Sequence, residues 1–316
     1  MQLRRLGRSG LHLSHLGLGT MTWGRDTDEH EAAGQLRAYL ESGGNFIDTA
    51  AMYGGGDSER VIGGLLGAMA KRDDLVIASK AGLSYSEGLR TVNSSRKALL
   101  RDLDGSLSRL GTDYLDIWQL HAWDPLTPLE ETLATLDSAV LSGKVRYAGI
   151  SNFSGWQSAR AITIQEQHDL KSRIISSQNE YSLLNRSIEN DVLPCLVTTE
   201  VGLLAWSPLG RGVLTGKYRG GMPVDSRGAS QHFASFIEPY LSSESARIVE
   251  AVAVAADGLG IAPLEVALTW VRDAPGVTSA IIGARTAAQL KGILMSETVE
   301  LPKVVRDALD EVSKHV

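Results

Sequence analysis

Three consecutive segments decide the fold: Leu75-Val-Ile-Ala-Ser-Lys80, the stretch Asn93 to Leu110, and Asp116-Ile-Trp-Gln-Leu-His121. The outer two are apolar runs of strand length, each ending in an ionisable group. Between them Ala98, Leu99, Leu103, Leu107 and Leu110 recur at three- and four-residue steps, which builds one buried helix face. A strand, a helix and a strand in this order mean parallel strands joined by a crossover. The same alternation runs outward in both directions. Strands are expected at Leu16–Gly19, Asn45–Asp48, Leu75–Lys80, Asp116–His121, Val145–Ser151, Ile175–Glu180, Leu203–Ser207 and Ala280–Gly283. Helical patterns include Asp28–Ser42, Ser58–Ala70, Asn93–Leu110 and Pro128–Ser142. Pro128 and Pro263 suit first helical turns, and Gly43, Gly111 and Gly143 suit C-terminal stops. Units repeating every ~30 to 40 residues favour a closed (β/α)₈ TIM barrel over an open doubly wound sheet. An N-terminal β-hairpin around Gly7-Arg-Ser-Gly10, a polar loop from Gly210 to Leu241 and extra C-terminal helices absorb the remaining length. No low-complexity linker interrupts the pattern, so residues 1–316 read as a single α/β domain.

Composition narrows the function classes. The chain has 316 residues, a formal net charge of −6, 43% hydrophobic and 22% charged residues, which suits a globular protein and excludes a disordered one. No apolar run approaches the ~18 residues of a membrane span, and Met1 to Arg8 lack the apolar core of a signal peptide. A cytoplasmic location, without a membrane partner, is the expectation. Mild acidity without a Lys/Arg cluster argues against nucleic acid. Cys195 is the only cysteine and lies in an apolar helical stretch, where a small core residue is the ordinary reading. The seven histidines show no metal-ligand spacing, so no metal is expected.

In a barrel of this type chemistry sits at the C-terminal ends of the strands. Those ends read Gly19-Thr20, Asp48, Lys80, His121, Ser151-Asn152, Gln178, Trp206-Ser207 and Gly283. One Lys or Asp ending a strand is an ordinary surface residue; a ring of compatible groups is harder to dismiss. Hydride delivery to a carbonyl makes an alkoxide, which needs a proton. Tyr53 lies five residues beyond Asp48 and can fold back over the mouth. A phenol with a pKa near ~10 is a reluctant acid; a Lys80 ammonium beside it is expected to lower that value, with Asp48 balancing the charge. A neutral His121 would orient the carbonyl oxygen.

The motifs carry a family resemblance. Asp48-Thr-Ala-Ala-Met-Tyr53 followed by Ser58-Glu59, Ala78-Ser-Lys80, Asp116-Ile-Trp-Gln-Leu-His121, Gly149-Ile-Ser-Asn-Phe153, Gln178-Asn-Glu-Tyr-Ser182, Trp206-Ser-Pro-Leu-Gly210 and Ser279-Ala-Ile-Ile-Gly283 resemble the aldo-keto reductases, in family order, from Leu3 to about Leu290. The resemblance implies a catalytic tetrad of Asp48, Tyr53, Lys80 and His121, and NADPH-dependent reduction of aldehydes or ketones with Tyr53 as general acid. It implies NADP(H) across the barrel mouth, with Ser151, Asn152 and Gln178 on the carboxamide and Trp206 stacked on the nicotinamide. Gly19, Thr20, Met21, Asp48, Ser207 and Pro208 would complete that end. Leu209, Gly210, Arg211, Gly212, Leu214 and Lys217 resemble the loop closing over the pyrophosphate, where glycine-freed amides and two cations suit a diester. Neither a P-loop nor a dinucleotide fingerprint is present: Gly212 to Lys217 is one residue short, and Gly17-Leu-Gly19 lacks its third glycine. Gly283, Arg285 and Gln289 would meet the 2′-phosphate, Arg285 bidentately and beside a helix N-terminus. Many family members carry Lys-Ser where Gly283-Ala284 stands; Arg285 resembles a Gly-Ala-Arg subset, and NAD(H) use stays open. Trp23, Met52 and Trp123 resemble the walls of the substrate pocket.

Three readings compete. The first is a working reductase of a small carbonyl compound, as a monomer or weak homo-oligomer. The second is a cofactor-bound regulatory subunit like the voltage-gated potassium-channel β-subunits, which resemble this family but depart at the His121 position. The third, a metal-dependent hydrolase, needs a His/carboxylate cluster, and the strand ends offer only His121.

Overall fold

The computed structural model describes residues 1–86, 89–224, 227–229 and 234–314. Two short strands, β1 (Leu3–Arg5) and β2 (His12–Ser14), form an antiparallel hairpin. The barrel strands follow as β3 (Leu16–Gly19), β4 (Phe46–Asp48) and β5 (Val76–Ala81). A second hairpin, β6 (Leu83–Ser86) and β7 (Leu89–Val92), interrupts the series, which resumes with β8 (Leu115–Leu120), β9 (Val145–Ser151), β10 (Ile174–Glu180), β11 (Gly202–Trp206) and β12 (Val277–Ile282). The sheet order β3-β4-β5-β8-β9-β10-β11-β12 closes on itself, with every pairing parallel. This is the (β/α)₈ barrel expected from the sequence.

Helices lie where the periodicity puts them, and local chemistry trims their ends. Asp28 caps Glu29–Glu41 by accepting from the Glu31 amide, Ser95 caps Arg96–Leu110, and Gly111 ends that helix in a left-handed turn at φ 62°. The helix expected over Ser58–Ala70 stops at Leu65: Leu66 turns extended and Gly67 takes φ 79°. Pro128 is the cap of Leu129–Leu141 rather than its first residue, whereas Pro263 opens Pro263–Arg272. Of the two added helices, Lys303–Val312 is C-terminal as expected. The other, Ser243–Leu259, lies between β11 and its returning helix Pro263–Arg272. The β6–β7 hairpin was not anticipated, and its turn at 87–88 lies outside the described residues. The same holds for 225–226 and 230–233 within the loop expected from Gly210 to Leu241. Among the described residues no single helix is long and apolar enough to cross a membrane.

The core has two parts. One apolar layer lies between the barrel and its helices; the other fills the lower barrel, where Phe46, Val76, Ala78, Ile117, Ile175, Leu204 and Ile281 meet Leu6 and Leu13 of the N-terminal hairpin. The hairpin plugs the end at which the strands begin. An irregularity between Ile174 and Ser176 resets the side-chain alternation of β10. Ile175 therefore joins the plug while Gln178, an odd number of residues later, reaches Asp48 on the same interior.

Candidate active site

Asp48, Lys80 and His121 stand at or just beyond the ends of β4, β5 and β8, and Tyr53 follows β4 on a tight turn. That turn requires glycine: Gly54, Gly55 and Gly56 have φ of 57°, 65° and 99° in succession. Behind it, the fully buried Glu59 accepts from Ser79 Oγ at 2.6 Å and from Arg109 Nε at 2.7 Å, tying the Tyr53 turn to the strand that carries Lys80.

Lys80 is 1% exposed. Its ammonium has three N–H donors and faces Asp48 Oδ2 at 2.6 Å, the Thr49 carbonyl at 2.9 Å and Tyr53 Oη at 3.4 Å. All three donors are thereby assigned. Asp48 Oδ1 accepts from Gln178 Nε2 at 2.7 Å and from Gln119 Nε2 at 3.5 Å. Burial pulls the Lys80 ammonium down, but Asp48 and Tyr53 together more than offset it and hold it charged. Burial likewise pushes the Tyr53 phenol up; Lys80 pulls it down and Asp48 opposes Lys80. The net direction is upward, opposite to the one expected from Lys80 alone, because burial outweighs the ammonium and Asp48 offsets part of its field. His121 stands edge-on to the Tyr53 ring, centroids 5.9 Å apart. Burial, then Lys80 and Arg90, drive its pKa well below the ordinary histidine value, so the ring is neutral. Its Nδ1 is buried and has no hydrogen-bond partner among the described residues.

The predicted cofactor residues line the same end, on unusual backbone. Asn152, Ser207 and Arg211 have φ of 58°, 53° and 57°, three of the five non-glycine residues in the left-handed region among the described residues. Each such residue costs ~1–3 kcal/mol unless its surroundings enforce it. Ser151 Oγ donates to the Gln178 carbonyl, and Asn152 Nδ2 donates to the His121 carbonyl at 3.0 Å. Trp206 Nε1 donates to Asn152 Oδ1 at 3.1 Å, which fixes the half-buried indole over the mouth. A partly open aromatic face, a strained rim and a buried unpartnered imidazole nitrogen fit a planar nicotinamide. Met21, Pro208 and the exposed Gly283 lie on the connections just beyond their strands, and the buried Thr20 donates to the Asp48 carbonyl.

Several predicted residues are engaged differently from the expectation. Arg211 forms a bidentate pair with Glu180, at 2.8 and 2.7 Å, and stacks 3.8 Å from the Phe236 ring centroid. The amides of Gly210, Gly212 and Leu214 are bonded to the carbonyls of Ser207 and Leu209, so glycine has not left them free. Leu214 itself is fully buried. Lys217 remains an exposed cation, its Nζ close over Gly212. At the far end, Arg285 N donates to Gln289 Oε1 at 3.0 Å, Gln289 N to Thr286 Oγ1, and Ala287 N to Glu31 Oε2 at 2.6 Å. A carboxylate therefore already sits on that helix N-terminus. Trp23 is 0% exposed and donates to Gln35 Oε1, which makes it core rather than pocket wall. Met52 and Trp123 are partly exposed, and Trp123 packs edge-on against Phe153 and Trp156. Among the described residues no group of three or more His, Cys, Asp or Glu is placed to hold a metal.

Residues 15–314 match the model of the aldo/keto reductase family. The chain belongs to that family. Among its relatives is the protein tas of Escherichia coli (strain K12), 36% identical over 340 residues covering 99% of this chain and 97% of the relative. A probable voltage-gated potassium channel subunit beta of Oryza sativa subsp. japonica is 34% identical over 316 residues, 99% and 95% of the two chains. An L-glyceraldehyde 3-phosphate reductase of Escherichia coli O157:H7 is 35% identical over 299 residues, 92% and 86%. The chain is an NAD(P)H-dependent oxidoreductase of the aldo/keto reductase family.

Sequence reasoning missed Gln119 as a second donor to Asp48, and Glu180 as the partner that engages Arg211. Gln119 lies two residues before His121 and so faces the same way, a signal available in the alternation of β8. Glu180 gave no such signal, because its pairing depends on how the loop after β11 folds back.

Proposed function

We propose that this chain reduces aldehydes or ketones to alcohols with NADPH, Tyr53 giving the proton. The observation that carries this reading is the saturation of Lys80. With one ammonium N–H on Asp48 and one on Thr49, the third points to the Tyr53 oxygen, which accepts it and directs its own O–H elsewhere. A raised phenol pKa keeps that proton in the resting state. When bound, the cofactor supplies the hydride. Tyr53 donates its proton to the carbonyl oxygen, and Lys80 stabilises the phenolate left behind. The neutral His121 holds the same oxygen with a ring N–H, and the buried Nδ1 favours the tautomer protonated at Nε2. A well-placed general acid contributes about 10²- to 10⁴-fold.

Ser151, Asn152 and Gln178 would bind the carboxamide, with Trp206 beneath the ring and Lys217 at the pyrophosphate. Arg285 would take the 2′-phosphate; Glu31 on the adjacent Ala287 amide works against an anion there, which keeps NADH in play. The proposed setting is the cytoplasm, where NADPH favours reduction. A second reading, a regulatory subunit with little turnover, is favoured by the rice relative's name. The test is a panel of aldehydes and ketones with each cofactor, followed at the nicotinamide absorbance. Turnover faster with NADPH supports the proposal; tight cofactor binding without turnover supports the second reading. Arg285→Ala is expected to weaken NADPH more than NADH, and equal losses would remove the phosphate assignment.

A further inference from the structure

The β6–β7 hairpin stands directly on the catalytic strand. Gly82 follows β5, and Asn93 N donates to the Gly82 carbonyl at 2.9 Å, closing the hairpin base. His121 N donates to the Ala81 carbonyl at 3.0 Å, so the imidazole lies at the hairpin's foot. The return strand is tied to the loop after β8 by Asp124, whose carboxylate accepts from the amides of Ser94 and Leu126 and from Thr127 Oγ1. Hairpin and Trp123 loop therefore form one wall of the mouth.

Register places one cation on that wall. Leu83 pairs with Val92 and Tyr85 with Arg90, and pairs two residues apart share a face. Leu83 is buried, so this face is the one turned toward the barrel. Tyr85, 60% exposed, and Arg90 continue it above the mouth. The Arg90 guanidinium makes no ion pair or hydrogen bond with any described side chain, whereas Lys80, the other cation near His121, is matched by Asp48. His121 feels the field of both, Lys80 first and Arg90 second. This wall of the mouth thus carries, among the described residues, a positive charge at Arg90 without a carboxylate partner, on the side of the aromatic Tyr85, Trp123 and Trp156.

We propose that Arg90 receives an anionic group, a carboxylate or a phosphate ester, at the far end of the carbonyl substrate, making anionic aldehydes the preferred substrate class. This rests on the reductase reading above and adds the recognition of charge. An uncharged aldehyde reaches Tyr53 and His121 equally well but leaves the guanidinium to water. A rod-like aryl aldehyde with an anionic para substituent would lie along the aromatic wall with its charge on Arg90.

Matched substrates test it: 4-carboxybenzaldehyde against methyl 4-formylbenzoate, and 4-formylphenyl phosphate against 4-methoxybenzaldehyde, with wild type, Arg90→Met and Arg90→Lys. Wild type is expected to favour the anionic member of at least one pair, and the two pairs separate carboxylate from phosphate. Arg90→Met is expected to lower kcat/KM for that member by about 10- to 100-fold, mainly through KM, with Arg90→Lys between. Added salt should erode the preference in wild type and not in Arg90→Met. Equal reduction of both members of each pair, or equal losses in Arg90→Met, would overturn the proposal while leaving the reductase reading intact. If no aldehyde of either kind is reduced, both fall together.

Discussion

The two ends of the barrel are built from the same strands and differ in what alternate residues do. At the lower end Phe46, Val76 and Ile117 pack around Leu6 and Leu13. Two residues further along β4 and β8 stand Asp48 and Gln119, and four along β5 stands Lys80. Both ends bury charge. Around the plug, Arg272 donates to Asp273 and to the carbonyls of Ser296, Glu297 and Val299, and Arg4 braces the same Asp273. There the ions join backbone segments. At the upper end Lys80, held by Asp48 and the Thr49 carbonyl, gives its remaining hydrogen bond to the Tyr53 phenol. The lesson is that burial of charge does not by itself distinguish the two ends; what differs is that the upper pair also bonds a titratable phenol.

Substitutions can break this contrast. Tyr53→Phe should lower kcat by about 10²- to 10⁴-fold with little change in thermal midpoint, since the ring packing is kept. An active variant would reduce Tyr53 to a structural residue. In wild type, kcat for reduction should stay flat through neutral pH and fall only in strongly alkaline solution, because the phenol is raised rather than lowered. Lys80→Met should abolish activity and also cost about 3–5 kcal/mol in urea unfolding, by leaving Asp48 buried and uncompensated. The Asp48→Asn/Lys80→Met double variant should recover part of that stability and none of the activity. At the other end, Arg272→Met should cost about 2 kcal/mol and leave kcat unchanged; a parallel loss of turnover would show that the ends are coupled.

The smallest effect expected is a pH dependence at the plug. Burial, then Arg272 and Arg4, hold the His15 pKa down to about 4, with Asp273 opposing. The folded state thus keeps the ring neutral where the unfolded chain protonates it. The stabilisation is complete above the ordinary histidine value and is lost as pH falls toward about 4. His15→Asn should flatten this slope, worth about 1 kcal/mol near pH 5.5, in unfolding curves taken across that range.

Much of this was legible in the sequence because two periodicities carry it. The helix stripe of Ala98, Leu99, Leu103, Leu107 and Leu110 and the apolar runs ending at Asp48, Lys80 and His121 locate elements and strand ends without tertiary knowledge. Contacts between distant loops were not legible. That Arg211 would be engaged by Glu180, that Glu31 would reach the Ala287 amide, and that Trp23 would turn inward to Gln35 depend on chain segments meeting in space. The β6–β7 hairpin escaped because its strands are four residues each and largely exposed, which weakens any apolar alternation. The irregularity before Ser176 is a backbone event, and no residue type announces it.

The central claim is that the upper-end groups hold a carbonyl so that the bound cofactor can supply a hydride to its carbon while Tyr53 gives a proton to its oxygen. It is tested most directly by incubating the protein with an aldehyde and NADPH deuterated at both C4 positions, then locating the label in the product by mass spectrometry and NMR. The account predicts one deuterium on the carbinol carbon, formed by wild type and at most in traces by Tyr53→Phe at the same cofactor occupancy. Product without label, or equal labelled product from Tyr53→Phe, would contradict it.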